Sequence, residues 1–192
     1  RVRAYNGVGP STNSGMISAT TASAQCVGIV NPSFEGGNTG GVADGWTAYQ
    51  RAPTPSTLWA IQTTAPPSGG GLQYQQIANT GSGSAGGGGV RQNITGCVPG
   101  GTYTISGWMR GNSSSDATCA VKVSPSASTD WATAVNLNPP QTYIGATWVS
   151  FNGTVIATGT SMTLWLDGHT GGTGGYKAEC FDAVNVVCTS VP

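Results

Sequence analysis

The sequence predicts an all-β protein built as a two-sheet β-sandwich, and three observations carry that prediction. Ten runs of strand length recur over residues 24–190, each bounded by Gly, Pro, Asn or Ser, and no segment sustains a helical period. Glycine supplies 31 of the 192 residues while charged residues make up only 7%, against about a quarter in an ordinary soluble domain. A polar turn with an acid, Asn31-Pro32-Ser33-Phe34-Glu35-Gly36, stands near the start of these runs, and a strand headed by a second acid, Phe181-Asp182-Ala183-Val184-Asn185-Val186, ends them. The first and last strands of a sandwich can lie side by side, which would bring Glu35 and Asp182 together across the seam.

Residues 1–22 read as a separate short β-hairpin. Arg1-Val2-Arg3-Ala4-Tyr5-Asn6 alternates as a strand does, Gly7-Val8-Gly9-Pro10-Ser11 has turn chemistry, and 16–21 is a second short strand. Two strands cannot bury a core alone. The main domain, 24–190, offers strands at 26–30, 46–50, 57–63, 72–78, 90–95, 102–110, 117–124, 147–156, 161–167 and 181–188. The glycine tract 81–89 reads as a flexible loop within that domain, because runs of the same style flank it. Many short strands spaced by turns favour a sandwich or jelly roll. Alternation assigns the faces. Tyr103, Ile105, Gly107 and Met109 form an apolar row with Thr104, Ser106, Trp108 and Arg110 opposite. Met162, Leu164 and Leu166 oppose Thr163, Trp165 and Asp167. Ala117, Cys119, Val121 and Val123 oppose Thr118, Ala120 and Lys122.

Seven Lys and Arg balance seven Asp and Glu. There is thus no basic face for a nucleic-acid backbone and no polybasic segment for a membrane. No apolar run approaches the roughly 20 residues of a membrane helix. Arg1-Val2-Arg3 lacks the apolar stretch of a secretory leader, and the sequence reads as a mature, monomeric piece of a longer secreted protein. The five cysteines (Cys26, Cys97, Cys119, Cys180 and Cys188) include no Cys-x-x-Cys pair, and the single histidine, His169, cannot complete a zinc set. Disulfides of an oxidising compartment are expected instead. Cys26 precedes the opening turn and Cys188 ends the closing strand, so adjacent strands would allow a Cys26–Cys188 bridge. Cys119–Cys180 is the second pairing considered, which leaves Cys97 over.

Six motifs occur in the order seen in jelly-roll carbohydrate-binding modules. They are Asn31 through Glu35, Gly45-Trp46, Leu72 with Ile77, Pro99-Gly100-Gly101-Thr102-Tyr103 with Trp108, Trp148-Val149-Ser150-Phe151, and Phe181-Asp182-Ala183-Val184-Asn185-Val186. Over about 27–188 the chain resembles families four, sixteen and twenty-two of these modules, with a galactose-binding-like jelly roll as the implied fold. Residues 1–22 resemble the last two strands of a fibronectin type III domain. The resemblance implies non-catalytic binding of a polysaccharide by a module of a secreted multidomain enzyme. It also implies a structural calcium ion. Calcium takes six to eight oxygens; Glu35 and Asp182 would supply carboxylates, Ser33 a backbone carbonyl, and the turn at 68–70 a further carbonyl.

Sugars present apolar C–H faces ringed by hydroxyls, so a site wants aromatic rings beside polar side chains on one wet face. Stacking the three polar rows in one sheet would group Trp108, Arg110, Lys122, Trp165 and Asp167, with Trp131 at the rim from a polar loop. Gln75, with Gln73, and Arg91 with Asn93 are further hydrogen-bonding candidates. Trp46 and Trp148 are expected to pack, and Trp59 is undecided. The ligand expected is a β-linked glycan such as xylan or β-glucan; Arg110 and Lys122 would suit an acidic sugar if both lined the groove. An enzyme would need two carboxylates facing across a cleft, for which Asp167 with Glu179 is the pair that remains. No Gly-x-Ser-x-Gly elbow occurs, and the sequence points away from catalysis. The alternative function is a structural or adhesion spacer without sugar binding; buried rings at Trp108 and Trp165 would favour it.

Overall fold

The computed structural model describes residues 5–6, 9–10, 28–51, 56–80, 87–111, 117–137, 145–170 and 176–192. Fourteen strands follow in chain order: β1 (Tyr5–Asn6), β2 (Gly9–Pro10), β3 (Asn38–Thr39), β4 (Val42–Ala43), β5 (Thr47–Gln50), β6 (Ser56–Gln62), β7 (Tyr74–Thr80), β8 (Gly87–Thr95), β9 (Thr102–Gly111), β10 (Ala117–Ser124), β11 (Val135–Asn136), β12 (Val149–Ile156), β13 (Ser161–Thr170) and β14 (Tyr176–Ser190). Among the described residues one 3-10 turn, Trp131–Thr133, precedes β11.

Two five-stranded antiparallel sheets form the sandwich. The first runs β11-β10-β13-β8-β5 and the second β12-β9-β14-β7-β6. The expected alternation sets their faces. Val90, Ile94, Val121, Val123, Met162, Leu164 and Leu166 point inward from the first sheet to meet Ile77, Tyr103, Ile105, Met109, Phe151, Val155, Phe181 and Val184 from the second. Branched and aromatic side chains suit these pleated inner faces, and removing them from water is the main force holding the layers together.

Two buried glutamines tie the segment before β5 to the sheets. Gln75 accepts the Ala43 N–H at 3.0 Å and donates to the carbonyls of Gly41 (2.9 Å) and Ala60 (3.2 Å). Gln92 accepts the Val30 N–H at 2.7 Å and donates to Val30 O and Gly45 O. Each buried amide therefore meets its hydrogen-bonding needs inside the core, which is the condition for its being there.

Several sequence expectations change. Residues 28–30 are not strand; the Val30 N–H and carbonyl bond the Gln92 side chain instead. The glycine tract is not loop throughout, because Gly87, Gly88 and Gly89 begin β8 and pair with Gln50 and Tyr49 on one side and His169, Gly168 and Asp167 on the other. A Cβ on Gly88 or Gly89 would run into backbone oxygens of the neighbouring strands, so glycine here permits close approach rather than flexibility. The N-terminal hairpin closes tightly within residues 5–10, with Tyr5 opposite Pro10; the expected second strand at 16–21 lies outside the described residues. Cys119 and Cys180 are free thiols, which removes the Cys119–Cys180 bridge. Cys119 projects into the core while Cys180 projects from the outer face of the second sheet, since Cys180 pairs with outward Arg110. Cys188 is also a free thiol, and Cys26, its expected partner, lies outside the described residues.

Candidate functional site

The sequence-predicted ligand residues divide between the two outer faces. β9 belongs to the second sheet and β10 and β13 to the first, so Trp108 and Arg110 are separated from Lys122, Trp165 and Asp167 by the whole thickness of the sandwich. Trp108 is half-buried opposite Ser150 and Asp182. Arg110 packs against the rings of Tyr74 and Trp148 at 4.9 and 4.8 Å and donates to the Tyr74 hydroxyl at 2.6 Å. Gln75 is 0% exposed and faces inward; its staple role replaces the expected ligand contact.

The first sheet's outer face holds the densest cluster of aromatic and charged groups. Register places Lys122 beside Trp165 and Trp165 beside Arg91. One pair further along, Asp167 lies between Ala120 and Gly89, and Gly89 faces Tyr49. The small residues at 89 and 120 leave room above them, and Tyr49 fills part of it. Its ring meets Trp165 edge-on at 4.9 Å, and its hydroxyl donates to Asp167 Oδ1 at 2.5 Å. Arg51, just past β5, forms an ion pair with Asp167 Oδ2 at 3.4 Å. The 3-10 turn then folds Trp131 over this face. Lys122 Nζ lies 3.6 Å and Arg51 Cζ 4.3 Å from the Trp131 ring centre, and Arg91 Cζ lies 5.0 Å from that of Trp165. These are cation–π distances.

Burial shapes the electrostatics. Asp167 is 1% exposed, and its pKa is raised to about 6 by desolvation, against the opposing pull of Arg51, Tyr49 and Lys122. Desolvation also lowers the Lys122 pKa, with Asp167 opposing and Arg51 adding to the fall. The Trp131 indole N–H adds to the attraction on Asp167 without closing a hydrogen bond. Trp165 is 1% exposed and forms the floor of the site, beneath Tyr49, Arg91 and the turn. Trp131, Tyr49 and Arg91 are half-buried and form its rim.

Tyr49 and Arg51 were missed from the sequence. The signal was present, since Thr47, Tyr49 and Arg51 alternate along one face of a single run. The remaining acid pair does not span a cleft. Asp167 faces outward, whereas Gly168, the next residue, faces inward onto the buried Glu179 carboxylate.

A second cluster lies where the opening and closing motifs meet. Val184 N–H donates to Pro32 O at 2.9 Å, which joins the two segments. Glu35 Oε1 accepts the Leu72 and Gln73 N–H groups at 2.6 and 2.7 Å. Asp182 Oδ1 accepts the Ala183 N–H, while Oδ2 is buried without a hydrogen-bond partner. Desolvation, with the Glu35 charge as a smaller contribution, pushes Asp182 up to about 7. A Cβ on Gly70 would strike the Asp182 carboxylate, and one on Gly71 would strike that of Glu35. Asn31, Phe34 and Ala183 have φ of 51°, 60° and 47°, so three left-handed non-glycine residues surround this seam; such strain gathers at functional sites. Ser33 lies in the same turn, and Gly70 of the 68–70 turn lies against the Asp182 carboxylate.

Comparison with known proteins matches the fold and one family. The chain superposes on the CBM22-1 xylan-binding domain from Paenibacillus barcinonensis Xyn10C with a TM-score of 0.60 at 18% identity, covering 89% of this chain and 100% of that one. It superposes on TmCBM61, solved with β-1,4-galactotriose, with a TM-score of 0.52 at 16% identity, covering 82% and 95%. A cyclase from Fischerella sp. TAU gives 0.60 at 17% identity, covering 84% and 96%. At these identities the likeness shows the shared jelly-roll fold. No curated protein matches the chain in sequence. Residues 28–175 match the carbohydrate binding domain family CBM_4_9, and the chain belongs to that family of carbohydrate-binding modules.

Proposed function

We propose that this protein binds a β-linked polysaccharide on the outer face of the first sheet, as a non-catalytic module of a secreted multidomain enzyme. The observation that carries the reading is the cluster of Trp131, Tyr49 and Trp165 interleaved with Arg51, Arg91, Lys122 and Asp167 on one face. Half-buried rings at the rim offer apolar surface to sugar C–H groups, and the charged groups beside them offer hydrogen bonds to hydroxyls. The neighbouring domains whose names state xylan binding and a bound galactotriose support this ligand class.

Calcium at the Glu35–Asp182 seam is part of the same proposal. The residues fit a hard cation: Asp182 Oδ2 is orphaned, Glu35 is close enough to raise the Asp182 pKa, and glycines 70 and 71 keep the space clear of side chains. No group of three or more His, Cys, Asp or Glu gathers among the described residues. The remaining ligands would therefore be backbone carbonyls such as Ser33 O, which calcium accepts. The ion would neutralise the paired acids and fasten the two ends of the domain.

A structural spacer is the second reading, and the burial of Trp165 favours it. Affinity electrophoresis separates the two, in gels cast with xylan, β-glucan, mannan, β-1,4-galactan, a chitin derivative or alginate. Retardation by at least one polymer, with a change in tryptophan fluorescence, is expected. No retardation and unchanged fluorescence across the set would leave the spacer.

A further inference from the structure

We propose that the glycan held on this face carries carboxylates, and that Lys122 and Arg91, with the indole N–H groups above and beneath them, receive a uronic-acid substituent. The inference rests on the polysaccharide-binding reading above and deepens it. It begins from the balance of donors and acceptors. Three of the chain's seven basic side chains converge here, Arg51, Arg91 and Lys122, against Asp167 and the nearby Asp130.

Both acids are already engaged. Asp167 accepts from Tyr49 and pairs with Arg51, and Asp130 Oδ1 accepts the Ala132 N–H at 2.9 Å to cap the 3-10 turn. The donors are less fully used. Among the described residues Lys122 makes one hydrogen bond, to Trp131 O at 3.2 Å, of the three it can make. Arg91 donates through NH1 to Thr129 O at 2.9 Å, which leaves other N–H groups of its guanidinium fork. Among the described residues the buried Trp165 Nε1 and Trp131 Nε1 close no hydrogen bond, Trp131 Nε1 being drawn only weakly toward Asp167.

A neutral sugar hydroxyl donates as well as accepts, so lodging it among donors alone leaves its own proton unsatisfied. A carboxylate only accepts, and it gains charge-assisted bonds from lysine and from a guanidinium fork. It would also offset the cost of keeping Lys122, 8% exposed, charged beside Arg51. The Arg51 guanidinium, paired with Asp167 at 3.4 Å, offsets that carboxylate's repulsion of an incoming one.

The test uses the whole protein and two polymer pairs. These are glucuronoxylan and alginate, each beside its carboxyl-reduced form, which keeps the backbone and loses the charge. Isothermal titration calorimetry at low ionic strength is expected to show at least one carboxylated polymer binding roughly tenfold tighter than its reduced partner. That ratio should shrink as salt is raised toward about 0.5 M. Lys122→Met should bring the ratio toward one and Lys122→Arg should retain most of it; Arg91→Gln gives an independent second variant should the first not fold. Equal binding of both members of each pair overturns the inference and leaves glycan binding standing. Binding of neither member of either pair also overturns the inference, while retardation by any neutral polymer in the gels above keeps glycan binding and its absence removes that too.

Discussion

Replacing Asp182 with asparagine should reverse sign according to whether calcium is present. In a chelator at pH 8 the wild-type carboxylate is ionised, buried and half-paired, with Glu35 nearby. Its rise from an ordinary value near 3.9 to about 7 amounts to roughly three units, or a ceiling of about 4 kcal/mol against the folded state. Solvent at the exposed Glu35 side of the seam screens this to on the order of 2 kcal/mol. Asparagine keeps the shape and removes the charge, so Asp182→Asn should stabilise the calcium-free domain. At roughly 2–4 °C per kcal/mol for a chain of this size, its Tm should rise by about 4–8 °C. With calcium at about a hundred times its Kd the wild type gains about 2.7 kcal/mol, or roughly 5–10 °C, and the variant gains little. Differential scanning calorimetry of both proteins, in chelator and in calcium, reads the crossing directly. A variant less stable than wild type in chelator, or calcium shifting neither protein, would refute the seam as a cation site.

Three further outcomes follow from the packing and charges. Gln75→Leu strands the Ala43 N–H and the Gly41 carbonyl inside the core and should cost about 2–4 kcal/mol, read as a lowered urea midpoint. Gly168→Ala drives a Cβ to 2.7 Å from Glu179 Oε2 and 3.0 Å from Ile77 Cγ2 and should cost about 1–3 kcal/mol by overpacking, measured the same way. Asp167 should titrate near pH 6 by carboxyl-carbon NMR, and Tyr49→Phe should move it higher, because the hydroxyl bond favours the charged form. The raised value means the folded state binds the Asp167 proton more tightly than the unfolded chain, so its contribution to stability is full below about pH 4 and lost as pH rises through 6.

The strands were legible because period-two alternation is local, and β9, β10 and β13 present the faces read from their residues. Sheet membership was not legible. β9 and β13 each carry an outward tryptophan and an outward charge, and nothing within either strand states that a crossover places them on opposite sheets. Gln75 was misread for a similar reason, because its partners at Gly41 and Ala43 come from a turn more than thirty residues away. Glu35 and Asp182 were expected to meet through neighbouring first and last strands, but the segment at 28–36 holds no strand and β14 pairs with β7 and β9; a turn, joined by the Val184 N–H to Pro32 O bond, brings the acids near one another instead. The turn at 131–133 was identified as polar loop, but only the fold shows that it lays Trp131 across Lys122.

The central claim is that the first sheet's outer face, and not the second's, takes the glycan. The most direct measurement compares the affinity of Trp131→Ala and Trp108→Ala with wild type, by calorimetry on a polysaccharide that retards the wild-type protein. Loss of a rim ring costs about 1–1.5 kcal/mol, so Trp131→Ala is predicted to bind roughly tenfold more weakly while Trp108→Ala stays within about twofold. Weakened binding in Trp108→Ala with Trp131→Ala unchanged would contradict the account and move the site to the opposite sheet.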